Sequence, residues 1–218
     1  MSKNILKYIG NQVSVHVSGG NQFNGILTDL GQDILVLYNG RQFLYIPLSH
    51  IHQIQLNINT EEHVNQPTEA FLTEEMDPVT FQKVLNNAKN FSTEIAVVGS
   101  ETFHGVIKNV YNDYFTFYSP IYKLMYIPIN HLKWLIPYAK GTTPYTMTNA
   151  DPPNIPLLHT LEEQLRTEIG KLVVFDGGED PFKIGLLKNV EQSIVELTIA
   201  SGEAVFLTID HIKSVQLP

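Results

Sequence analysis

Three histidines, His50, His131 and His211, recur at intervals of 81 and 80 residues. Imidazole is a common metal ligand, and three brought together on a pseudo-threefold axis could close a zinc site. No carboxylate in the recurring stretch stands at ligand spacing, so each ring is expected to satisfy a backbone group beside a turn, and no metal is assigned. His16 and His52 occur in the first copy alone and are read as surface positions on strands. The chain has no cysteine, which removes thiolate nucleophiles, disulfides and Cys-ligated centres. Gly19-Gly20 and Gly177-Gly178 lack the Walker lysine and the spacing of a dinucleotide loop. The acidic run at 176–180 reads as a surface hairpin. No nucleophile–base pair appears, so the expectation is a protein without enzymatic activity and without a cofactor.

Charge narrows the partners. The net charge is −8. Residues 1–57 carry +1, 58–79 carry −6, 80–138 carry +2, 139–156 are neutral and 157–218 carry −5. Non-specific nucleic-acid affinity comes mainly from phosphate neutralisation, and no Lys/Arg cluster is present, which argues against nucleic acid as a partner. No apolar run reaches the roughly 20 residues of a membrane span, and no secretory segment follows Met1. A soluble protein made in the cytosol is expected.

The histidines close a longer motif. Gly25, Gly105 and Gly185 open it at intervals of 80 and 80 residues, and Pro47 and Pro128 lie near its end, with Thr208 in the third copy. A period kept at both ends marks internal duplication. Each copy predicts a short helix: Ser2 to Ile9, then one from Asp77-Pro78, then one around Leu161, Leu165 and Ile169. Alternating valines such as Val13, Val15 and Val17 predict a first strand. Glycine inside the second strand marks a sharp bend or bulge. The third strand is Ile34 to Tyr38, Tyr114 to Tyr118 and Ile194 to Thr198. Asn39-Gly40 predicts a two-residue hairpin into the fourth strand, which ends at Pro47 or Pro128. Ser49, Asn130 and Asp210 are expected to cap one helical turn before the fifth strand, Ile51 to Leu56, Leu132 to Ile136 and Ile212 to Leu217.

This pattern predicts a mainly β protein of three tandem Sm-like small barrels, each a short helix plus five bent antiparallel strands. The units are 1–57, 77–138 and 157–218. They are joined by an acidic linker, 58–76, and a Pro/Thr-rich linker, 139–156, both read as extended and poorly packed. Units this small bury little surface alone and are expected to pack on one another. The aromatic side chains of the second unit, among them Phe103, Tyr114, Tyr126 and Trp134, are assigned to core and inter-unit packing. Sm-like barrels often bind RNA. Asn39-Gly40-Arg41 resembles a fragment of such a site, but the basic residue is not repeated, and RNA binding is kept as the second reading.

The threefold unit resembles the globular region of spore coat protein B (CotB) of endospore-forming Bacilli. The likeness rests on Gly19-Gly20 with Gly25, Gly177-Gly178 with Gly185, the three closing segments and Thr73-Glu-Glu-Met-Asp77. The Ser/Lys/Arg-rich tail that such proteins can carry does not follow Pro218, so functions tied to it are not carried over. The resemblance implies a non-enzymatic structural component of the outer spore coat, made in the mother-cell cytoplasm, with other coat proteins as partners. Sm-like units associate by pairing strand four of one with strand five of the next. A homo-oligomer through edge strands is therefore also expected.

Overall fold

The computed structural model describes residues 3–56, 78–97, 102–139 and 158–218, with positions 67, 72 and 142. Most of both linkers, Asp77 and Gly99-Ser100 lie outside the described residues. The fold is mainly β, with fifteen strands and three short α-helices among the described residues.

The first copy contains α1 (Lys3–Leu6), β1 (Gln12–Val17), β2 (Asn21–Leu30), β3 (Ile34–Tyr38), β4 (Phe43–Pro47), a 3-10 turn at Leu48–His50 and β5 (Ile51–Leu56). The second contains α2 (Phe81–Asn87), β6 (Ser92–Ala96), β7 (Thr102–Val110), β8 (Tyr114–Ser119), β9 (Lys123–Pro128), a turn at Ile129–His131 and β10 (Trp134–Pro137). The third contains α3 (Leu161–Thr167), β11 (Leu172–Phe175), β12 (Ile184–Glu191), β13 (Ile194–Thr198), β14 (Ala204–Thr208), a turn at Ile209–His211 and β15 (Val215–Gln216). This is the Sm-like plan, a helix and five bent strands, three times over.

Contacts gather the chain into two compact units, residues 1–102 with 132–142 and residues 103–131 with 143–218, so the division runs through the second copy. In the first unit the strand order is β5-β1-β2-β3-β4-β10-β6. Its core is Val13, Val15, Leu27, Leu35, Leu37 and Ile46, joined by Ala96, Trp134 and Ile136 of the second copy. In the second unit the order is β7-β8-β9-β15-β11-β12-β13-β14. Its core combines Val173, Phe175, Leu187, Val195 and Val215 with Tyr114 and Tyr126. Burying such side chains contributes roughly 1.5–3 kcal/mol each.

Several local expectations change. Helix α1 is a single turn that stops at Leu6; of the three apolar residues expected on one helical face, Ile5 faces the core, Leu6 is exposed, and Ile9 lies beyond the helix and is exposed. Helix α2 begins at Phe81, with Thr80 rather than Asp77 as its cap; the Thr80 Oγ1 accepts from the Lys83 amide. The Asn39-Gly40 connection spans four residues, because Tyr38 pairs with Phe43 and the Asn39 side chain accepts the Arg41 and Gln42 amides. The fifth strands of copies two and three are shorter than expected, beginning at Trp134 and Val215. In copies one and three the turn before the fifth strand is capped at Pro47 and Thr208 without a side-chain bond, so Ser49 and Asp210 do not cap it.

The run at 176–180 is more than a surface hairpin. Asp176 is buried at positive φ, pairs with Lys183, and its Oδ1 accepts the Lys213 and Ser214 amides at 2.6 and 3.1 Å. A buried carboxylate needs such partners, and this one ties the loop after β11 to the approach of β15.

Candidate functional site

The three motif glycines are fixed by a backbone close by. A Cβ at Gly25, Gly105 or Gly185 would lie 2.3, 2.2 or 2.6 Å from the carbonyl oxygen of Tyr38, Tyr118 or Thr198 on the neighbouring strand. The bulge itself comes just after, as a register shift between Leu27 and Asp29, Ile107 and Asn109, and Leu187 and Asn189. Pro47 and Pro128 are the last residues of β4 and β9, opposite Ile34 and Tyr114. Proline is tolerated there because the ladder stops.

The motif histidines end the three 3-10 turns and make different contacts. His50 Nδ1 is 3.1 Å from Ser18 Oγ, and His131 Nε2 is 2.7 Å from the Asp210 carbonyl oxygen. His211 is exposed. Among the described residues no three His, Asp or Glu side chains are grouped to hold a metal. Of the two first-copy histidines, His52 is exposed, whereas His16 is half-buried with its Nε2 enclosed.

What the fold builds from the repeat is a pair of joints. In the first unit β10 of copy two pairs antiparallel with β4 of copy one, Leu135 opposite Tyr45. In the second unit β15 of copy three pairs with β9 of copy two, Val215 opposite Tyr126. Each joint also docks the incoming helix on the preceding copy. Asp33 Oδ1 accepts the first amide of α2 at 2.8 Å, and Asp113 Oδ1 accepts the first amide of α3 at 2.9 Å. Gly31 is required beside the first dock, because a Cβ there would meet the Val79 carbonyl oxygen at 2.2 Å.

The first joint is apolar on its helix side. Val84, Leu85 and Ala88 are fully buried, and the Tyr45 hydroxyl accepts the amide of Leu72 at 2.9 Å. Leu72 is itself buried, and its carbonyl accepts from Asn87. That part of the acidic linker is packed, contrary to the expectation of an unpacked connection.

The second joint carries a buried polar network. Gln164 and Glu168 hold the positions of Val84 and Ala88 one repeat earlier, and both are fully buried. The Tyr126 hydroxyl donates to Glu168 Oε1 at 3.0 Å, Gln164 Nε2 donates to the same oxygen at 3.0 Å, and Lys171 Nζ reaches Oε2 at 2.6 Å. The Tyr114 hydroxyl donates to the Leu158 carbonyl at 2.8 Å. Burial pushes the Glu168 carboxyl up, but the bonds from Lys171, Tyr126 and Gln164 outweigh it and hold it below its ordinary value. Burial, reinforced by Glu168, raises the Tyr126 phenol well above its usual range, and burial followed by the Tyr111 charge does the same for Tyr114.

At the outer edges the same positions lie open. The strand-four tyrosines Tyr45 and Tyr126 are 0% and 1% exposed, whereas their counterpart Phe206 on β14 is 65% exposed. Ile194, the counterpart of buried Tyr114, is 45% exposed. On β5, in the strand-five position, His52, Gln53, Gln55 and Leu56 are exposed. Among the described residues, β14 pairs with β13 alone and β5 with β1 alone.

Some of these features had a readable signal. Thr160 and Glu163 form a complete capping box on α3, spelled by the spacing Thr-x-x-Glu. Gln164 and Glu168 stand out as polar residues at helix positions that are apolar one repeat earlier. The roles of Asp33 and Asp113 had none, since each accepts from an amide 48 residues away.

The comparisons with known proteins follow this architecture. The family model described as the YwrJ third domain matches residues 160–215, the third copy. The protein YwrJ of Bacillus subtilis (strain 168) is 40% identical over 224 residues, covering 99% of this chain and 100% of that protein. With that identity over its full length, and with the family's third domain on its third repeat, the chain belongs to the YwrJ family.

Proposed function

We propose that the chain is a non-enzymatic structural component of the bacterial spore's outer coat, made in the mother cell and assembled by edge-to-edge contacts with other coat proteins. One observation carries the reading: the chain joins its own copies by strand-four to strand-five pairing and leaves one edge of each kind unpaired among the described residues. Those edges carry apolar residues and no charge or proline to block pairing, the reverse of how isolated sheets are protected. The resemblance of the threefold register to spore coat protein B supplies the setting.

A fluorescent fusion expressed in a sporulating Bacillus host tests this. The expected result is a shell of fluorescence around the developing spore that persists on the released spore. Fluorescence that stays diffuse in the mother cell refutes it. Retention of the purified protein on an RNA column, with a steep fall in binding as salt rises, would favour the Sm-like RNA-binding reading instead.

A further inference from the structure

We infer that the open β14 edge of one chain docks onto the open β5 edge of a second copy, repeating between chains the joint that the chain makes twice within itself. The inference rests on the reading of the chain as an edge-joined assembly protein, and it names a second copy of this chain as the partner.

The two internal joints fix the register. Tyr45 stands opposite Leu135 and Tyr126 opposite Val215, while Met125 stands opposite Gln216. Stepping by one repeat places Phe206 opposite Ile54 of the next chain and Val205 opposite Gln55. Among the described residues neither strand is paired on this outer side, as strand addition requires.

The side-chain seat is present as well. In the second unit Tyr126 and Tyr114 pack with Leu165, Val173, Leu187, Ile212 and Val215. The same five positions in the first copy are Ile5, Val13, Leu27, Ile51 and Ile54, and these line a groove of about 450 Å³ beside β5 together with Tyr8, His52, Gln53 and Leu56. At the internal joint that seat holds an aromatic ring; on the first copy it is open to solvent. The side chains that would fill it, Phe206 and Ile194, are the exposed counterparts of Tyr126 and Tyr114.

The chemistry of seat and occupant also matches. Tyr126 needs Glu168 for its hydroxyl. Phe206 has no hydroxyl, and in the first copy the place of Glu168, two residues before the glycine that follows the helix, is taken by Tyr8 rather than a carboxylate. An apolar ring therefore meets a mainly apolar seat that lacks the carboxylate, while His52 and Gln53, which also line the groove, lie on the exposed strand. The helix dock is not repeated in the same form, since Ser193 stands where Asp33 and Asp113 accept the helix amide. The inference is confined to the strand pair and the groove.

The contact is heterologous, joining unlike patches, so each association leaves another edge of each kind. Sedimentation of the purified chain should show species heavier than the 24.6 kDa monomer, growing with concentration. Phe206→Glu and Leu56→Glu should each sediment as monomer while keeping the wild-type circular dichroism and melting temperature. Mixed in equal amounts they should form a two-chain complex and nothing larger, because each retains one working edge.

A second measurement does not depend on those variants. The chain has no native cysteine. Gln55→Cys mixed with Val205→Cys should therefore give a disulfide-linked pair containing one of each chain under mild oxidation. The inference is overturned if the wild type stays monomeric at its highest soluble concentration. It is equally overturned if Phe206→Glu alone still associates, or if the cysteine pair yields no mixed dimer. All of these use purified protein, so this failure is separable from a failure of the fusion to reach the coat.

Discussion

The two internal joints use one backbone arrangement and two chemistries. At β4/β10 the docking helix presents Val84 and Ala88, and the one tyrosine hydroxyl is matched by a linker amide. At β9/β15 the helix presents Gln164 and Glu168, and the tyrosine hydroxyl is matched by a carboxylate. The register of the tyrosine is the same in both. The lesson is that strand pairing and the aromatic seat define the joint, while the helix side is free to diverge provided each buried polar atom keeps a partner. The buried Glu168 is thus weak evidence of stability and a sensitive point of failure, because removing any one partner strands the others.

The largest effect should come from the shared feature. Tyr45→Ala and Tyr126→Ala each remove a fully buried ring at a joint and should each cost about 3–5 kcal/mol in chemical denaturation. A loss under 1 kcal/mol at either site would show that the joints are not held by the same seat.

Gly105→Ala comes next, at about 1–3 kcal/mol, since its Cβ would strike the Tyr118 carbonyl, which is backbone and has little room to give. A neutral result would mean that the strands can separate there.

Glu168→Ala should cost about 1–3 kcal/mol, by leaving the Tyr126 hydroxyl and Gln164 amide buried without their acceptor. The triple change Gln164→Val, Glu168→Ala, Tyr126→Phe, which gives the second joint the helix-side chemistry of the first, should cost less than Glu168→Ala alone. If the triple variant is the less stable of the two, the network contributes specific stability and the joints are not interchangeable.

The smallest effect is in acid. The Glu168 carboxyl titrates below its reference value of 4.5 in the folded state, so the stability it contributes is fully present above that pH and is lost as pH falls through the lowered value. The melting temperature of the wild type should therefore fall more steeply below pH 4.5 than that of Glu168→Gln. Parallel curves would remove Glu168 from the linkage.

Much of the fold was legible from one chain because duplication repeats the evidence. Strands β3, β5, β11 and β13 fall on the expected segments, and in β11 and β13 buried residues alternate with more exposed ones at the two-residue period of a half-buried strand. The hairpin at Asn39 did not, because its turn is widened by a side chain bonding two backbone amides, a choice that local dipeptide preference misses. The fifth strands of copies two and three were overextended because apolar Leu132 and Ile212 are buried without being in the ladder. Thr80 caps α2 although Asp77-Pro78 is an equally good local signal three residues earlier.

The sequence by itself determined the period, the helix-plus-five-strand unit and the glycine and proline positions within it. Those depend on local backbone geometry and on hydrophobic alternation, and both are written in neighbouring residues. Only the tertiary structure decided that strands four and five pair across copies, that Tyr45 and Tyr126 are enclosed while Phe206 is not, and that Glu168 is buried among partners. Strand pairing depends on which edges meet, and residues with the same local pattern, such as Tyr45 and Phe206, differ in burial only because a neighbour covers one of them.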